Sequence, residues 1–147
     1  MNIELTFDET ELVRIANEQL PPVKIPCQAA MAWRFAEITH HNFGNDGEDR
    51  PALWPALTAK YAREFHQGVQ TPKLILTGEL QDSIKIDASH AEAATVFTQN
   101  EYATMHQFGD GPVPARPFFP IVGSDFTPYT TAQCLESCAT ELQRRLS

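Results

Sequence analysis

The most informative part of the sequence reads Tyr102-Ala103-Thr104-Met105-His106-Gln107-Phe108-Gly109 and, after Asp110-Gly111-Pro112-Val113, continues Pro114-Ala115-Arg116-Pro117-Phe118-Phe119. One interpretation is a short helical turn that ends at Gly109, followed by a proline-stiffened arm. Each proline fixes its own φ and favours extended backbone at the preceding residue, so we expect Val113 and Arg116 to be extended. Such an arm loses little entropy when it docks on another surface, which is typical of an assembly element.

Length, composition and charge bound the class of protein. The chain has 147 residues, of which 42% are apolar and 20% charged, so a core can form without metal or disulfide support. We expect a single domain over residues 1–147 with a flexible acidic loop at about 44–51. The net charge of −8 argues against a protein whose main task is binding nucleic acid, because neutralising phosphates requires clusters of Lys and Arg.

The expected location follows from what the sequence lacks. The first residues do not combine a basic segment with an apolar block, and no apolar run approaches the length of a membrane span. We therefore expect a cytoplasmic protein without membrane partners. Cys27, Cys134 and Cys138 follow neither disulfide nor zinc spacing, so we interpret them as buried apolar residues. Cys134 and Cys138 lie one helical turn apart, where both can face a partner element.

Helical periodicity predicts four helices. The expected spans are Asp8 to Leu20, Cys27 to about Phe43, a short piece that starts with Trp54-Pro55-Ala56-Leu57-Thr58 and continues through Phe65, and a terminal helix from Pro128. Thr58 is one possible N-cap of the short piece, and Thr127 caps the terminal helix. The expected apolar faces are Cys27, Met31, Phe35 and Ile38 on the second helix, and Leu135, Cys138, Ala139, Leu142 and Leu146 on the last. We expect Trp33 and Trp54 to pack in the core.

Alternation of apolar and polar residues predicts strands. They are expected at Ile3–Phe7, Leu80–Ala88 and Ala94–Thr98, with a hairpin connection at Ser89–Glu92 and a further strand at Phe118–Val122. Asp82 interrupts the apolar face of the second. The predicted fold class is α+β, a small antiparallel β-sheet packed by N-terminal, central and C-terminal α-helices.

The sequence contains no organised catalytic set. The five histidines follow no metal-binding spacing, the glycines form no phosphate-binding loop, and no nucleophile elbow is present. We therefore expect no catalytic residues, no metal and no cofactor. Two alternatives remain open: a small metal-dependent hydrolase or nuclease that uses His and Asp/Glu residues, and an antitoxin-like or regulatory binding module.

Four pieces of the chain resemble, in order, the phage virion morphogenesis family, the tail-completion proteins of Mu-like and P2-like tailed phages. They are Trp54-Pro55-Ala56-Leu57, the run from Leu74 to Ile84 with Thr77-Gly78-Glu79-Leu80, Tyr102-Ala103 with His106-Gln107-Phe108-Gly109, and Pro114-Ala115-Arg116-Pro117-Phe118. Together they cover the middle half of the chain. Phe97 departs from the pattern, since such proteins often carry glycine there, and Pro21-Pro22 is an additional link.

The resemblance implies a non-enzymatic structural protein at the head-proximal end of a phage tail or at the neck. It implies a homo-oligomeric ring, with a hexamer as the working model, and contacts with the tail tube or with neck and head-completion proteins. The implied locations are the host bacterial cytoplasm during assembly and the virion tail or neck afterwards. We expect neither a membrane nor a sequence-specific nucleic-acid partner.

The candidate assembly interface is His106, Gln107, Phe108, Pro114, Arg116, Pro117, Phe118 and Phe119. In one hypothesis Arg116 contacts a carboxylate or carbonyl across a subunit boundary, while Phe118 or Phe119 fills an apolar pocket. In the alternative, Arg116 is an intramolecular clamp and the phenylalanines belong to the core. His106 and Gln107 either face a neighbouring subunit or have capping and hydrogen-bonding roles in the core.

Overall fold

A computed structural model of the chain describes residues 1–5, 23–47, 53–70, 73–74, 78–90 and 92–146. Its helices are α1 (Lys24–Gly44), α2 (Ala59–Phe65), α3 (Glu79–Asp82), α4 (Ala103–Phe108) and α5 (Pro128–Leu146). Its strands are β1 (Asn2–Leu5), β2 (Lys85–Asp87), β3 (Ala94–Phe97), β4 (Ile121–Val122) and β5 (Asp125–Phe126). The predicted α+β class is confirmed. The helix expected from Asp8 to Leu20 lies outside the described residues.

The three-stranded sheet has the order β1-β3-β2 and is antiparallel throughout. Ala94 and Val96 of the central strand are fully buried, while Thr95 and Phe97 are partly exposed, which is the expected period of two. Leu5 pairs with Ala94 and is also buried. The predicted strands at the amino terminus and at Ala94 are therefore confirmed over their described residues, as is the hairpin between β2 and β3.

The described chain divides into two compact units. Unit 1 contains Met1, Glu37–Ile84 and Thr98–Thr127, and unit 2 contains Asn2–Ala36, Lys85–Phe97 and Pro128–Ser147. The three-stranded sheet, α5 and the first part of α1 belong to unit 2. Helices α2, α3 and α4 and the β4-β5 ribbon belong to unit 1. The prediction of one domain over residues 1–147 stays a prediction.

Helix α1 follows the predicted apolar stripe, and its four stripe residues are buried: Cys27, Met31, Phe35 and Ile38. The helix begins at Lys24, earlier than expected, so Pro26 lies in the first turn. A proline is tolerated there because the first-turn amides have no intrahelical acceptor. None of the described helices combines the length and the apolar character needed to cross a bilayer.

The two tryptophans differ in environment. Trp54 is buried as predicted, but Trp33 is 66% exposed, so its expected core position is wrong. Trp33 lies two residues after Met31, and a separation of two places side chains about 200° apart around a helix. Trp33 therefore lies away from the buried stripe of α1.

The strand predicted at Leu80–Ala88 is wrong in its first half. Residues Glu79–Asp82 form one helical turn after Gly78, which has a φ of 79° in the left-handed region, and β2 contains only Lys85–Asp87. Leu80 and Ile84 are both buried. A spacing of four residues places two side chains on one face of a helix as readily as on one face of a strand, which explains the error.

Two further predictions need correction near the carboxy terminus. The strand expected at Phe118–Val122 is limited to Ile121–Val122, which pairs only with β5, and Phe118 and Phe119 precede it in irregular backbone. Helix α5 begins at Pro128 as predicted, but Leu135 and Ala139 are exposed. Cys138 is buried as predicted and Leu142 is half-buried, whereas the other buried described positions are Thr130 and Cys134, each one turn of the helix before the next.

Asp46 does not fit the expectation of a solvated acidic loop. It is 3% exposed, and its carboxylate accepts hydrogen bonds from the backbone N of Lys73 at 2.7 Å and from Lys73 Nζ at 2.9 Å. Its own carbonyl accepts from the backbone N of Trp54 at 2.9 Å. A buried ion pair persists only when further hydrogen bonds satisfy the charges, as they do here. The expected loop beyond Gly47 lies outside the described residues.

Candidate assembly site

Helix α4 ends where the sequence predicts. Gly109 has a φ of 78°, and a Cβ atom there would lie 2.9 Å from both the Val113 carbonyl O and the Ala115 backbone N. Asp110 and Val113 exchange backbone hydrogen bonds of 3.0 and 2.9 Å, which closes a tight turn. Glycine therefore satisfies two requirements at position 109, a left-handed φ and a close approach between α4 and the returning chain.

Gln107 connects α4 to the segment after the turn. It lies one helical turn after Ala103, and both are buried. Its side-chain Oε1 accepts hydrogen bonds from the backbone N atoms of Phe118 at 3.1 Å and Phe119 at 2.9 Å, and its Nε2 donates to the Phe119 carbonyl at 3.1 Å. One amide group thereby satisfies three buried backbone groups that belong to no helix or strand.

The neighbouring backbone groups of this segment also form hydrogen bonds. The backbone N of Arg116 donates to the His106 carbonyl at 2.7 Å. Trp54 Nε1 donates to the Pro117 carbonyl at 2.8 Å, and Asn42 Nδ2 donates to the Phe118 carbonyl at 3.0 Å. The segment from Arg116 to Phe119 is therefore fixed by hydrogen bonds from three separate parts of unit 1.

Arg116 binds backbone carbonyls of its own chain. Its Nε donates to the Pro55 carbonyl and its Nη2 to the Ala56 carbonyl, each at 3.0 Å, and the residue is only 6% exposed. Burial lowers the pKa of the guanidinium, while Tyr61 and Asp46 act in the opposite direction. These contacts correspond to the intramolecular clamp of the two alternatives. A contact of Arg116 with another subunit stays a prediction.

Phe118 and Phe119 are fully buried within unit 1. Their ring centroids lie 4.8 Å apart, and the Phe118 ring lies 5.4 Å from that of Phe43. Phe43 meets Trp54 edge to face at 6.1 Å. Aromatic pairs at these separations are stabilising beyond the area that they bury. The rings therefore form the aromatic core beneath the segment.

The eight candidate interface residues thus fall into two groups. The supporting group is buried and comprises Gln107, Arg116, Phe118 and Phe119, with Pro117 half-buried beside them. The outward group consists of Phe108, which is 54% exposed, and Pro114, which is also exposed. His106 is half-buried between the two. The structure brings all eight together around α4 and the turn that follows it.

A largely apolar groove of about 520 Å³ lies beside this turn within unit 1. Its lining includes Tyr61, Tyr102, Met105, Pro112 and Pro114. Sequence reasoning missed Tyr61 and Tyr102 as surface residues of the site. The spacing on α2 is the signal that could have identified Tyr61. Its ring pairs with that of the exposed Phe65 one helical turn away, and the sole buried described residue of this helix is Ala62.

His106 also lines the groove. Its Nδ1 atom is buried and has no hydrogen-bond partner among the described residues. Burial lowers the pKa of the imidazole, and the positive charge of Arg116 lowers it further. His106 therefore binds a proton less tightly in the folded chain than in the unfolded chain.

Within the part of the chain that is described, no group of three or more His, Cys, Asp or Glu side chains is placed to hold a metal ion. The chain belongs to the phage virion morphogenesis family, whose model matches residues 8–128. Comparison with curated proteins and with solved structures finds no matching chain.

The family membership confirms the resemblance found in the four sequence pieces. It indicates a structural or morphogenetic role in phage and a virion-associated protein. Its range includes all eight candidate interface residues and both tyrosines of the groove.

Replacing Gln107 with Ala should strongly destabilise the protein. The change leaves the buried N–H groups of Phe118 and Phe119 without partners, each worth about 1–3 kcal/mol, while the Phe119 carbonyl keeps its hydrogen bond from the backbone N of Ile121. We therefore expect a loss of roughly 2–5 kcal/mol in the free energy of unfolding. Chemical denaturation measures it. Gln99→Ala, at an exposed position, is the matched control and should change the free energy by less than about 0.5 kcal/mol. Equal effects of the two variants would contradict the role given to Gln107.

His106 should make the fold less stable as pH falls. Its folded pKa lies below the unfolded value of 6.5, so beneath about pH 6.5 the unfolded chain binds more protons and the free energy of unfolding decreases. His106→Gln should show a smaller decrease between about pH 7.5 and pH 5.5 than the wild type. Denaturation at each pH measures this. An unchanged slope in His106→Gln would refute the assignment.

Proposed function

We propose that this chain is a structural protein that completes the phage tail or joins it to the head at the neck. It acts as a homo-oligomeric ring, with six subunits as the working model, and contacts the tail tube or neck and head-completion proteins. Membership of the virion morphogenesis family supports the class of role. The observation that carries the proposal is the hydrogen-bonded support from Gln107 and Arg116 beneath the exposed Phe108 and Pro114.

A rigid outward surface suits permanent assembly. Because residues 116–119 are fixed from several directions, the side chains that they support lose little conformational freedom when a partner covers them. Phe108 and Tyr102 are each 54% exposed, and such rings have few rotamers to immobilise. In this proposal Phe108, Tyr102 and Pro114 contact the neighbouring chain, while Gln107, Arg116 and Phe118 hold them in position.

The symmetry of the contact and the charge of the subunit both agree with a ring. A contact between two different surfaces of identical chains repeats head to tail and closes into a ring when the rotation permits. Each subunit carries a net charge of −8. A ring lumen with acidic residues repels phosphate groups, which would let DNA pass without adhering. The corresponding locations are the host cytoplasm during assembly and the tail or neck of the virion.

Native mass spectrometry and negative-stain imaging test the proposal. Wild-type protein is expected to form a closed ring, and Phe108→Ser should reduce the assembled mass because it removes an exposed apolar anchor. Its thermal midpoint should stay within about 2 °C of the wild type, since an exposed side chain contributes little to folding. Val122→Ser is the matched control: Val122 is another exposed apolar residue of unit 1, and its replacement should leave both mass and midpoint unchanged.

Two results would overturn the proposal. One is a wild-type chain that stays monomeric both alone and with isolated phage tails. The other is a Phe108→Ser variant whose assembly matches that of Val122→Ser. In phage lysates that lack this chain, we expect heads and tails to accumulate unjoined, and restoring the wild-type gene should restore complete particles.

A further inference from the structure

Three cysteines of unit 2 line the contact between α1 and α5. Cys27 Sγ lies 3.8 Å from the Cys138 carbonyl O, and Cys134 Sγ lies 3.6 Å from the Met31 carbonyl O. Arg34 hydrogen-bonds to Gln133 further along the same contact. As the residue number rises on α1, it falls on α5, so the two helices run antiparallel and Cys27 faces Cys138.

The Cys27 thiol donates a hydrogen bond to the backbone carbonyl of Cys138, and both cysteines are free and buried. Burial raises the pKa of Cys138 to about 12 and that of Cys134 to about 11. Burial also raises the pKa of Cys27, but the hydrogen bond from Cys138 lowers it in part. Cys27 is therefore the thiol of the facing pair that ionises more readily.

We propose that Cys27 and Cys138 form an intramolecular disulfide when the folded protein meets a small-molecule disulfide, and that this bond links α1 to α5. The observations that carry the proposal are the facing positions of the two residues on packed helices and the 3.8 Å approach of Cys27 Sγ to the Cys138 carbonyl O. Cys134 is the comparison within the same helix contact, because the residue that its sulfur meets on α1 is Met31 and not a cysteine.

The reaction is an ordinary two-step exchange. The Cys27 thiolate attacks one sulfur of the small disulfide, forms a mixed disulfide and releases one small thiolate. The Cys138 thiol then loses its proton, its sulfur attacks the Cys27 sulfur of the mixed disulfide, and the second small thiolate leaves. The two cysteines are oxidised by two electrons, and the small disulfide is reduced to two thiols. Because both sulfurs are buried, the exchange requires local opening and should be slow at neutral pH.

The bond would constrain the unfolded chain strongly. Cys27 and Cys138 are 111 residues apart, and a crosslink that closes a long loop removes much of the entropy of the unfolded state. The timing of the reaction rests on the proposed function: the thiols stay reduced during assembly in a reducing cytoplasm, and the disulfide forms after release into an oxidising medium. The chemistry itself is independent of that function, so it can be tested on the isolated chain.

The test incubates the reduced full-length protein with excess oxidised glutathione and then alkylates the remaining thiols. Peptide mapping is expected to find Cys27 linked to Cys138 and Cys134 alkylated. The thermal midpoint of the oxidised protein should rise by roughly 5–15 °C and return to its original value after treatment with dithiothreitol. Raising the pH should accelerate the reaction, because the thiolate is the attacking species.

Single variants separate the proposal from other thiol chemistry. Cys134→Ala should retain both the crosslink and the rise in midpoint, whereas Cys27→Ala and Cys138→Ala should lose both. The mapping of the wild type needs no variant, so it decides the matter even where a variant folds poorly. Three alkylated cysteines, a crosslink through Cys134, a stable glutathione adduct or a lower midpoint after oxidation would each overturn the proposal. A crosslinked monomer that never assembles would contradict the proposed function and leave the disulfide intact.

Discussion

The hydrogen bonds of the Gln107 side chain are the constraint on which the rest of the candidate site depends. Phe118 and Phe119 are fully buried but lie in irregular backbone, so no strand ladder or helix accepts hydrogen bonds from their backbone N–H groups. Buried backbone groups without partners are strongly destabilising. The amide of Gln107 takes the place of a neighbouring strand for these two residues. The aromatic core of Phe118, Phe119 and Phe43 can form only because this requirement is met.

Within this short stretch of chain, buried residues hold the backbone in place and their neighbours are exposed at the surface. Arg116 directs its guanidinium to the carbonyls of Pro55 and Ala56, and Gln107 holds the backbone that follows. The exposed ring of Phe108 lies on the helix that carries Gln107, and the exposed ring of Tyr102 directly precedes that helix. A membership in the phage virion morphogenesis family agrees with such a division, since a structural protein needs a fixed surface more than a reactive group. The disulfide proposed for unit 2 would add a second, covalent constraint to a protein that already holds its surface by hydrogen bonds.

The sequence predicted the features that depend on neighbouring residues, but not the contacts between residues that are far apart in the chain. Helix α1, the Pro128 start of α5 and the glycine stop at Gly109 have local signals, and each was confirmed. Leu80 and Ile84 fit both a helix and a strand, so their spacing did not separate the two. The burial of Asp46 could not be predicted, because its partner Lys73 lies 27 residues away and leaves no periodic signal. The partners of Gln107 were equally out of reach, since a side-chain amide bonds wherever tertiary structure places it, although the motif had marked the residue as a candidate.

Amide hydrogen exchange at Phe118 and Phe119, measured by residue-resolved NMR, tests the account most directly. If Gln107 holds both N–H groups, they should exchange as slowly as the amide of Val96 in the central strand, despite lying outside every strand and helix. Exchange as fast as that of Ser124, an exposed turn residue, would contradict the account, because it would mean that the segment opens freely and cannot hold the surface above it.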